Sequence, residues 1–240
     1  MSLPHDETNF GIGTLDMEYQ LNFTPIWEHR DLILQGLATT VALSISALVI
    51  AGLIGLVIGS VGTARSRSWR AGAALYVEVM RNVPLLVHMY FWYMALAFLQ
   101  LPAFVCAMLG LALYSGAYVA EVVRSGIGSI PNGQMHAGLA LGLRYFQALR
   151  FVIYPQALRI IAPSLASLLS QIIKDSSLAS VLAVAELAYQ AGAIEGQTFR
   201  TFEVYITLSL IYLVLVTIVT QTITWLAGES ESAAAQLSDA

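Results

Sequence analysis

The sequence predicts an all-α integral membrane protein with about five transmembrane helices. Three observations predict it. First, 58% of the 240 residues are hydrophobic and only 11% are charged, with a mean hydropathy of +0.72. A water-soluble domain carries about 25% charged residues, and a chain this apolar would expose more hydrophobic surface in water than a soluble fold tolerates. Second, the charge-free runs are as long as a bilayer crossing needs, roughly 20 residues each. Third, the arginines gather in two of the loops between those runs.

Composition also excludes several classes. Net charge is −4 and the acidic residues collect at the two ends, so the chain has no nucleic-acid footprint. The lone Cys106, inside an apolar run, removes intramolecular disulfides and CxxC metal sites by arithmetic. Residues 1–30 are polar and lack the basic region and short apolar core of a cleavable signal. They read as an extracytoplasmic N-terminal segment, with the first apolar helix acting as an uncleaved insertion signal. Residues 31–227 form the transmembrane domain, and residues 228–240, acidic and rich in alanine and serine, read as a disordered tail.

The first crossing lies between Leu32 and Ala64, where no residue is charged. Gly55 and Gly59 have the four-residue spacing that lets two helix backbones approach closely, although glycine is also simply common in membrane helices. A basic loop with Arg65, Arg67 and Arg70 follows. The charge-free stretch from Asn82 to Ala120 is too long for one crossing. It divides at Gln100-Leu101-Pro102 into a second helix at roughly 73–99 and a third at roughly 103–123. The loop 124–159 carries four arginines; a fourth helix spans about 161–185 and a fifth about 203–226, with a polar patch from Glu186 to Arg200 between them. Seven loop arginines lie on one side of the membrane and only Arg30 and Arg200 on the other. The positive-inside rule then places the N-terminus outside and the C-terminus inside.

Ionisable groups within the apolar segments mark a pathway or a specific pairing. Glu78, Arg81 and Asn82 lie in the second segment, and Lys174 and Asp175 in the fourth. Glu78 and Arg81, three apart, share a helix face and could pair; an ion pair at the membrane interface is the structural alternative. Pro84, one turn on, frees a backbone carbonyl, as suits a mobile or cavity-lining segment. Lys174 is the only lysine, and no Gly-Lys-Ser/Thr surrounds it, so the chain has no Walker A motif and any ATP drive comes from a partner. Facing a pathway, Lys174 would favour an anionic substrate group; paired with Asp175, it would be structural. His88 and Ser115 offer the residue types of an intramembrane hydrolase, but no GxSxG or HExxH motif accompanies them, and a hydrogen-bonded histidine at a helix interface is the better reading of His88.

The loop supplies the most specific pattern. Pro131 and Asn132 start a short helix that Gly142 can stop, and a second amphipathic piece with Arg144 and Arg150 runs to Pro155. Such a segment suits either another protein's groove or the membrane surface. Its pattern resembles the EAA motif of bacterial ABC importer permeases: Glu-Ala-Ala, three residues, Gly, nine residues, Ile, any residue, Leu, Pro. His136-Ala137-Gly138 takes the Glu-Ala-Ala place, Gly142 is the glycine, and Val152-Ile153-Tyr154-Pro155 closes the motif. The spacing matches in full; the glutamate and the leucine do not. Gly36-Leu-Ala-Thr-Thr-Val-Ala-Leu-Ser, Tyr76-Val-Glu-Val-Met-Arg-Asn-Val-Pro-Leu-Leu-Val, Pro155-Gln-Ala-Leu-Arg159 and Ile173-Lys-Asp-Ser-Ser-Leu-Ala-Ser narrow the resemblance to the polar amino acid subfamily, which handles histidine, arginine, glutamine and glutamate. Arg81-Asn82-Val83-Pro84, Lys174-Asp175-Ser176 and Ala188-Tyr-Gln-Ala-Gly192 look closest to glutamate/aspartate permeases. The likeness spans roughly residues 30–227.

The resemblance implies a type I ABC importer permease in a bacterial inner membrane, without an ATPase site or cofactor of its own. Its implied partners are a cytoplasmic ATP-binding cassette ATPase, which binds the ATP, a second permease subunit, identical or homologous, and a periplasmic amino-acid-binding protein, with lipid around the bundle. His136, Ala137, Gly138, Gly142, Arg144 and Pro155 would form the coupling segment that docks on the ATPase. Glu78, Arg81, Asn82, Lys174 and Asp175 are the substrate-pathway candidates. ATP binding and hydrolysis would shift the pathway between outward-open and inward-open populations. A stand-alone channel or secondary carrier, which would conduct without nucleotide, is the alternative, and an intramembrane hydrolase a more distant one.

Overall fold

A computed structural model describes residues 19–238 of the chain. Every regular element among them is helical. In chain order these are α1 (Thr24–Glu28), α2 (Arg30–Val61), α3 (Arg67–Asn82), α4 (Leu85–Ala95), α5 (Ala103–Ser129), α6 (Asn132–Ala140), α7 (Tyr145–Ala148), α8 (Tyr154–Asp175), α9 (Leu187–Thr198) and α10 (Thr201–Ser238). Four stretches are long and apolar enough to cross a membrane: α2, α5, the run Tyr145–Leu182 and residues Thr201–Thr222. The remaining predicted crossing, the second, is divided between α3 and the shorter apolar α4.

Pro84 is the physical reason for that division. Val83, held extended at φ −103° and ψ 133°, ends α3. A residue before proline avoids the helical region, and proline brings no amide hydrogen to continue the ladder. The opposite outcome holds at Pro155. The sequence placed the end of the amphipathic piece there, yet the helix runs through, because one widened (π) turn, Leu149–Ile153, precedes α8 and Pro155 falls in its first turn. There the missing amide hydrogen costs least. The α8 helix ends earlier than predicted, at Asp175, and tightens into a 3₁₀ run, Ser176–Leu182, that reverses at Ala183.

The polar patch between the fourth and fifth crossings is also not a simple loop. It forms α9, started by Glu186, whose carboxylate accepts from the amides of Ala188 (2.9 Å) and Tyr189 (2.7 Å). The last helix, α10, continues through residues 228–238, which the sequence assigned to a disordered tail. The run Ala233-Ala234-Ala235 has the highest intrinsic helix propensity. Residues 1–18, most of the predicted N-terminal segment, lie outside the described residues.

The bundle is built around α5, which packs against α2, α3, α4 and α8. Its core includes Leu43, Met89, Leu111 and Ile172, from four different helices. Small residues bring α2 and α5 together. A Cβ at Gly55 would collide with the Val119 side chain, and one at Gly59 would lie 2.6 Å from the Ala120 carbonyl oxygen. The spacing noticed in the sequence is therefore a backbone contact, not a compositional accident.

The two ends of the bundle differ. One gathers the C-terminal ends of α2 and α5 with the start of α8, where Ser60 and Tyr154 hydroxyls bond and Arg124 lies against Gly62. The other joins the segment before α1 to the start of α10. There Glu203, fully buried, accepts from the Asn22 amide at 2.9 Å and from the Tyr19 hydroxyl.

Candidate substrate pathway and coupling helix

The break in the second crossing opens onto a pocket. Residues just after the break (Pro84 and Leu85) form one wall of a cavity of about 510 Å³. Tyr114, Ser115 and Tyr118 from α5 form a second wall, and Gln171 and Asp175 from α8 a third. The two tyrosines lie one helical turn apart, and their hydroxyls meet at 3.1 Å. The Gln171 amide donates to Asp175 Oδ1 at 2.7 Å, again across one turn. The Arg81 guanidinium stands over the Tyr118 ring, 5.0 Å from its centre, close enough for a cation–π contact. The cavity is thus lined by one carboxylate, two phenols, a serine and an amide among aliphatic side chains, with the Arg81 guanidinium behind Tyr118.

The candidates from the sequence divide accordingly. Asp175 lines this cavity; Lys174 does not. Successive residues on a helix point about 100° apart, so the two cannot share a direction. Lys174 is exposed, and its ammonium makes no hydrogen bond or ion pair among the described residues. The Glu78–Arg81 pair is not formed either. Glu78 instead accepts from Asn82 Nδ2 at 2.9 Å, and Arg81 turns to Tyr118. Both line a second, smaller cavity of about 240 Å³ with Glu121 and Arg124. Those two form an ion pair, with Nη2 and Oε1 2.5 Å apart. Glu121 sits one residue past the charge-free stretch, and sequence reasoning did not include it. A carboxylate and an arginine three apart at the end of an apolar run were the available signal.

His88 and Ser115 do not form a nucleophile and base. His88 Nε2 donates to the Met80 carbonyl at 3.1 Å, and its ring lies 5.9 Å from that of Tyr114.

The segment around His136 folds as a short helix closed by a turn. Helix α6 starts at Asn132 after Pro131 and ends at Ala140, and Gly142 then adopts φ +85°. That turn lets the amides of Leu141, Gly142 and Leu143 cap the carbonyls of Ala137, Leu139 and Gly138. His136 and Ala137 are exposed, as are Leu141, Arg144 and Pro155, while Gly138 is buried against Ala148. A Cβ there would lie 3.2 Å from that of Ala148. Beneath the segment, Ile130, Leu149, Ile153 and Ala157 form a separate apolar cluster that anchors it to α8. Gly142→Val is expected to destabilise this turn by about 1–3 kcal/mol, because a β-branched residue resists positive φ. Gly142→Asn, whose side chain tolerates that region, should stay close to the native thermal midpoint in detergent. A valine variant as stable as the asparagine one would contradict this account of the turn.

A second carboxylate was named in the sequence only as the edge of a polar patch. Glu186, fully buried, also accepts from Tyr212 on α10 at 3.0 Å, and Thr40 on α2 receives the Leu187 amide at 3.1 Å. It ties α2, α9 and α10 into one corner. The sequence showed it only as the first residue of a polar patch.

A helical membrane domain whose crossing helix is interrupted beside a polar cavity, with a capped helix pair presented at one end, defines the class: a pathway-forming transport subunit. Residues 51–228 match the family described as "Binding-protein-dependent transport system inner membrane component". The relatives include the probable amino-acid ABC transporter permease protein YckA of Bacillus subtilis, 36% identical over 84% of this chain and 90% of its own length. The glutamate/aspartate import permease protein GltJ of Escherichia coli is 35% identical over 76% of this chain and 80% of its own. The glutamine transport system permease protein GlnP of Escherichia coli is 39% identical over 82% and 91%. A crystal structure of an amino acid ABC transporter with histidines superposes with a TM-score of 0.79 at 33% identity, covering 88% of this chain and 100% of that one. The chain belongs to this family of ABC importer permeases, and to its amino acid branch. Permease subunits of that kind are not themselves enzymes.

Proposed function

We propose that the chain forms part of the translocation pathway of an importer for polar amino acids. The supporting observation is the cavity at the Pro84 break, polar on two walls, in a chain related to amino acid permeases. A separate cytoplasmic ATPase docks on exposed residues of α6 and the turn after it, His136, Ala137, Leu141 and Arg144 among them. A second permease subunit completes the pathway, and a periplasmic amino-acid-binding protein delivers the substrate. The arginine-rich end then faces the cytoplasm of a bacterial cell, with the N-terminus outside the inner membrane.

For the substrate, the motifs around Arg81, Lys174 and Ala188, together with similarity to GltJ, support glutamate or aspartate. A second reading is favoured by the cavity itself. Among the described residues that line it, the one formal charge is the Asp175 carboxylate, which pairs with an ammonium or cationic group better than with an acidic side chain. Glutamine, carried by a relative of comparable similarity, fits that environment.

Uptake by the complete complex in vesicles, compared for glutamate, aspartate, glutamine, histidine and arginine, separates these readings. If an acidic substrate is read by Lys174, Lys174→Ala lowers glutamate uptake about tenfold without loss of assembled complex. If Asp175 reads an ammonium group, Asp175→Ala gives that loss and Lys174→Ala changes little. Uptake that does not require ATP would refute the importer reading altogether.

A further inference from the structure

The break between α3 and α4 leaves the carbonyls of the last turn of α3 without their helical donors, that of Met80 among them. In a continuous helix the amide of residue 84 would donate to the carbonyl of residue 80. Pro84 has no amide hydrogen, so Met80 must find another donor or stand unpaired beside a membrane core, where that costs most. The donor is His88, in the first turn of α4, almost fully buried at 7% exposure, with Nε2 3.1 Å from the Met80 oxygen. A carbonyl oxygen only accepts, so Nε2 carries the hydrogen in this bond. One side chain thus spans the gap: its backbone belongs to the first turn of α4 and its bond ends on the last turn of α3.

The same ring touches the pathway. It lies 5.9 Å from Tyr114, whose hydroxyl meets that of Tyr118 at 3.1 Å, and Tyr118 carries Arg81 over its face at 5.0 Å. Arg81 and Met80 are neighbours on α3, so the contacts close into a loop: α3 to His88, to the α5 tyrosines, and back to α3. Met89, next to His88, is pressed on Gly110 of α5, where an added Cβ would lie 3.0 Å from its Cα, so α4 has little room to shift on its own.

We propose that His88 is a positioning residue for transport. Its bond to Met80 sets the angle at the Val83–Pro84 break, and with it the position of the Pro84 wall relative to Tyr114 and Tyr118. The inference rests on the reading of this cavity as the pathway.

The test uses the assembled complex with its ATPase and binding protein, in vesicles. His88→Leu removes the donor and keeps an apolar side chain. It is expected to lower uptake per assembled complex about tenfold, with the amount of complex within about twofold of the native. His88→Gln, which offers an amide N–H at similar reach, should recover most of that uptake. A role confined to folding would instead change the amount of complex and leave uptake per complex unaltered. Pro84→Ala returns an amide donor to Met80, so adding His88→Leu to it should change uptake by less than about twofold. Should His88→Leu not assemble, His88→Asn, too short to reach Met80, takes its place in each comparison.

A second readout does not depend on transport. Spin labels at Val79→Cys and Phe91→Cys, exposed positions on α3 and α4, should give one narrow distance in the native background or with His88→Gln, and a broadened one with the leucine or asparagine variant. Native uptake per complex and an unchanged distance in the donor-less variants would overturn the proposal. A native complex that transports no amino acid, with the distance still governed by the donor, would overturn the pathway reading and leave the link across the break standing.

Discussion

Gly59→Leu is expected to prevent accumulation of the folded permease. Its Cβ alone would lie 2.6 Å from the Ala120 carbonyl oxygen and 2.8 Å from the Val123 Cβ. Neither obstacle is the free end of a flexible side chain, so α2 and α5 must separate. Overpacking in a well-packed core costs about 1–3 kcal/mol, and here the contact between the two helices forms the centre of the bundle, where Ala51, Val119 and Val123 are buried together. Losing it is expected to fall at the upper end of that range. Gly52 is the control on the same helix, since a Cβ there meets nothing within 4 Å. Gly52→Ala should be neutral or slightly stabilising, by at most about 1 kcal/mol of helix propensity. Membrane abundance and the thermal midpoint in detergent measure both. A leucine at 59 tolerated as well as an alanine at 52 would show that the close approach of α2 and α5 is not needed.

Glu186→Leu should be comparably damaging for an electrostatic reason. The carboxylate satisfies two amides of α9 and the Tyr212 hydroxyl in a fully buried corner. Each buried donor left unpaired costs about 1–3 kcal/mol, and a low local dielectric raises the cost. A loss of about 3–5 kcal/mol is expected, the range seen when one partner of a buried charged network is removed. Glu186→Gln keeps one acceptor oxygen and should lose less. The expected order of thermal midpoints is native, then glutamine, then leucine. An equal loss for both variants would point to the charge rather than the hydrogen bonds; no loss for leucine would mean that the α2–α9–α10 corner does not depend on this residue.

The two expectations differ in how visible they were beforehand. Gly55 and Gly59 were legible, because helix periodicity puts residues four apart on one face whatever the helix packs against. The Pro84 break and the Gly142 turn were legible for a similar reason: missing amide hydrogens and positive φ are properties of single residues. The short helix α6, from Asn132 to Ala140, followed from such local signals: Pro131 before it and Gly142 after it. Glu186 was not legible. Its importance comes from Thr40 and Tyr212, 146 and 26 positions away, and nothing in a polar patch announces which acid will be enclosed. Glu121, which lines the smaller cavity and pairs with Arg124 three residues on, was missed although its partner is local.

The sequence by itself determined the solvent, the class of fold, the weak point at Pro84 and the turn at Gly142, because hydropathy and backbone stereochemistry act locally along the chain. Only the tertiary structure decided which charges meet. Asp175 rather than Lys174 faces the cavity, Arg81 chooses Tyr118 over Glu78, and His88 serves Met80 rather than Ser115. Neighbours in sequence differ by about 100° around a helix, so the direction of each side chain is fixed only when another helix arrives beside it.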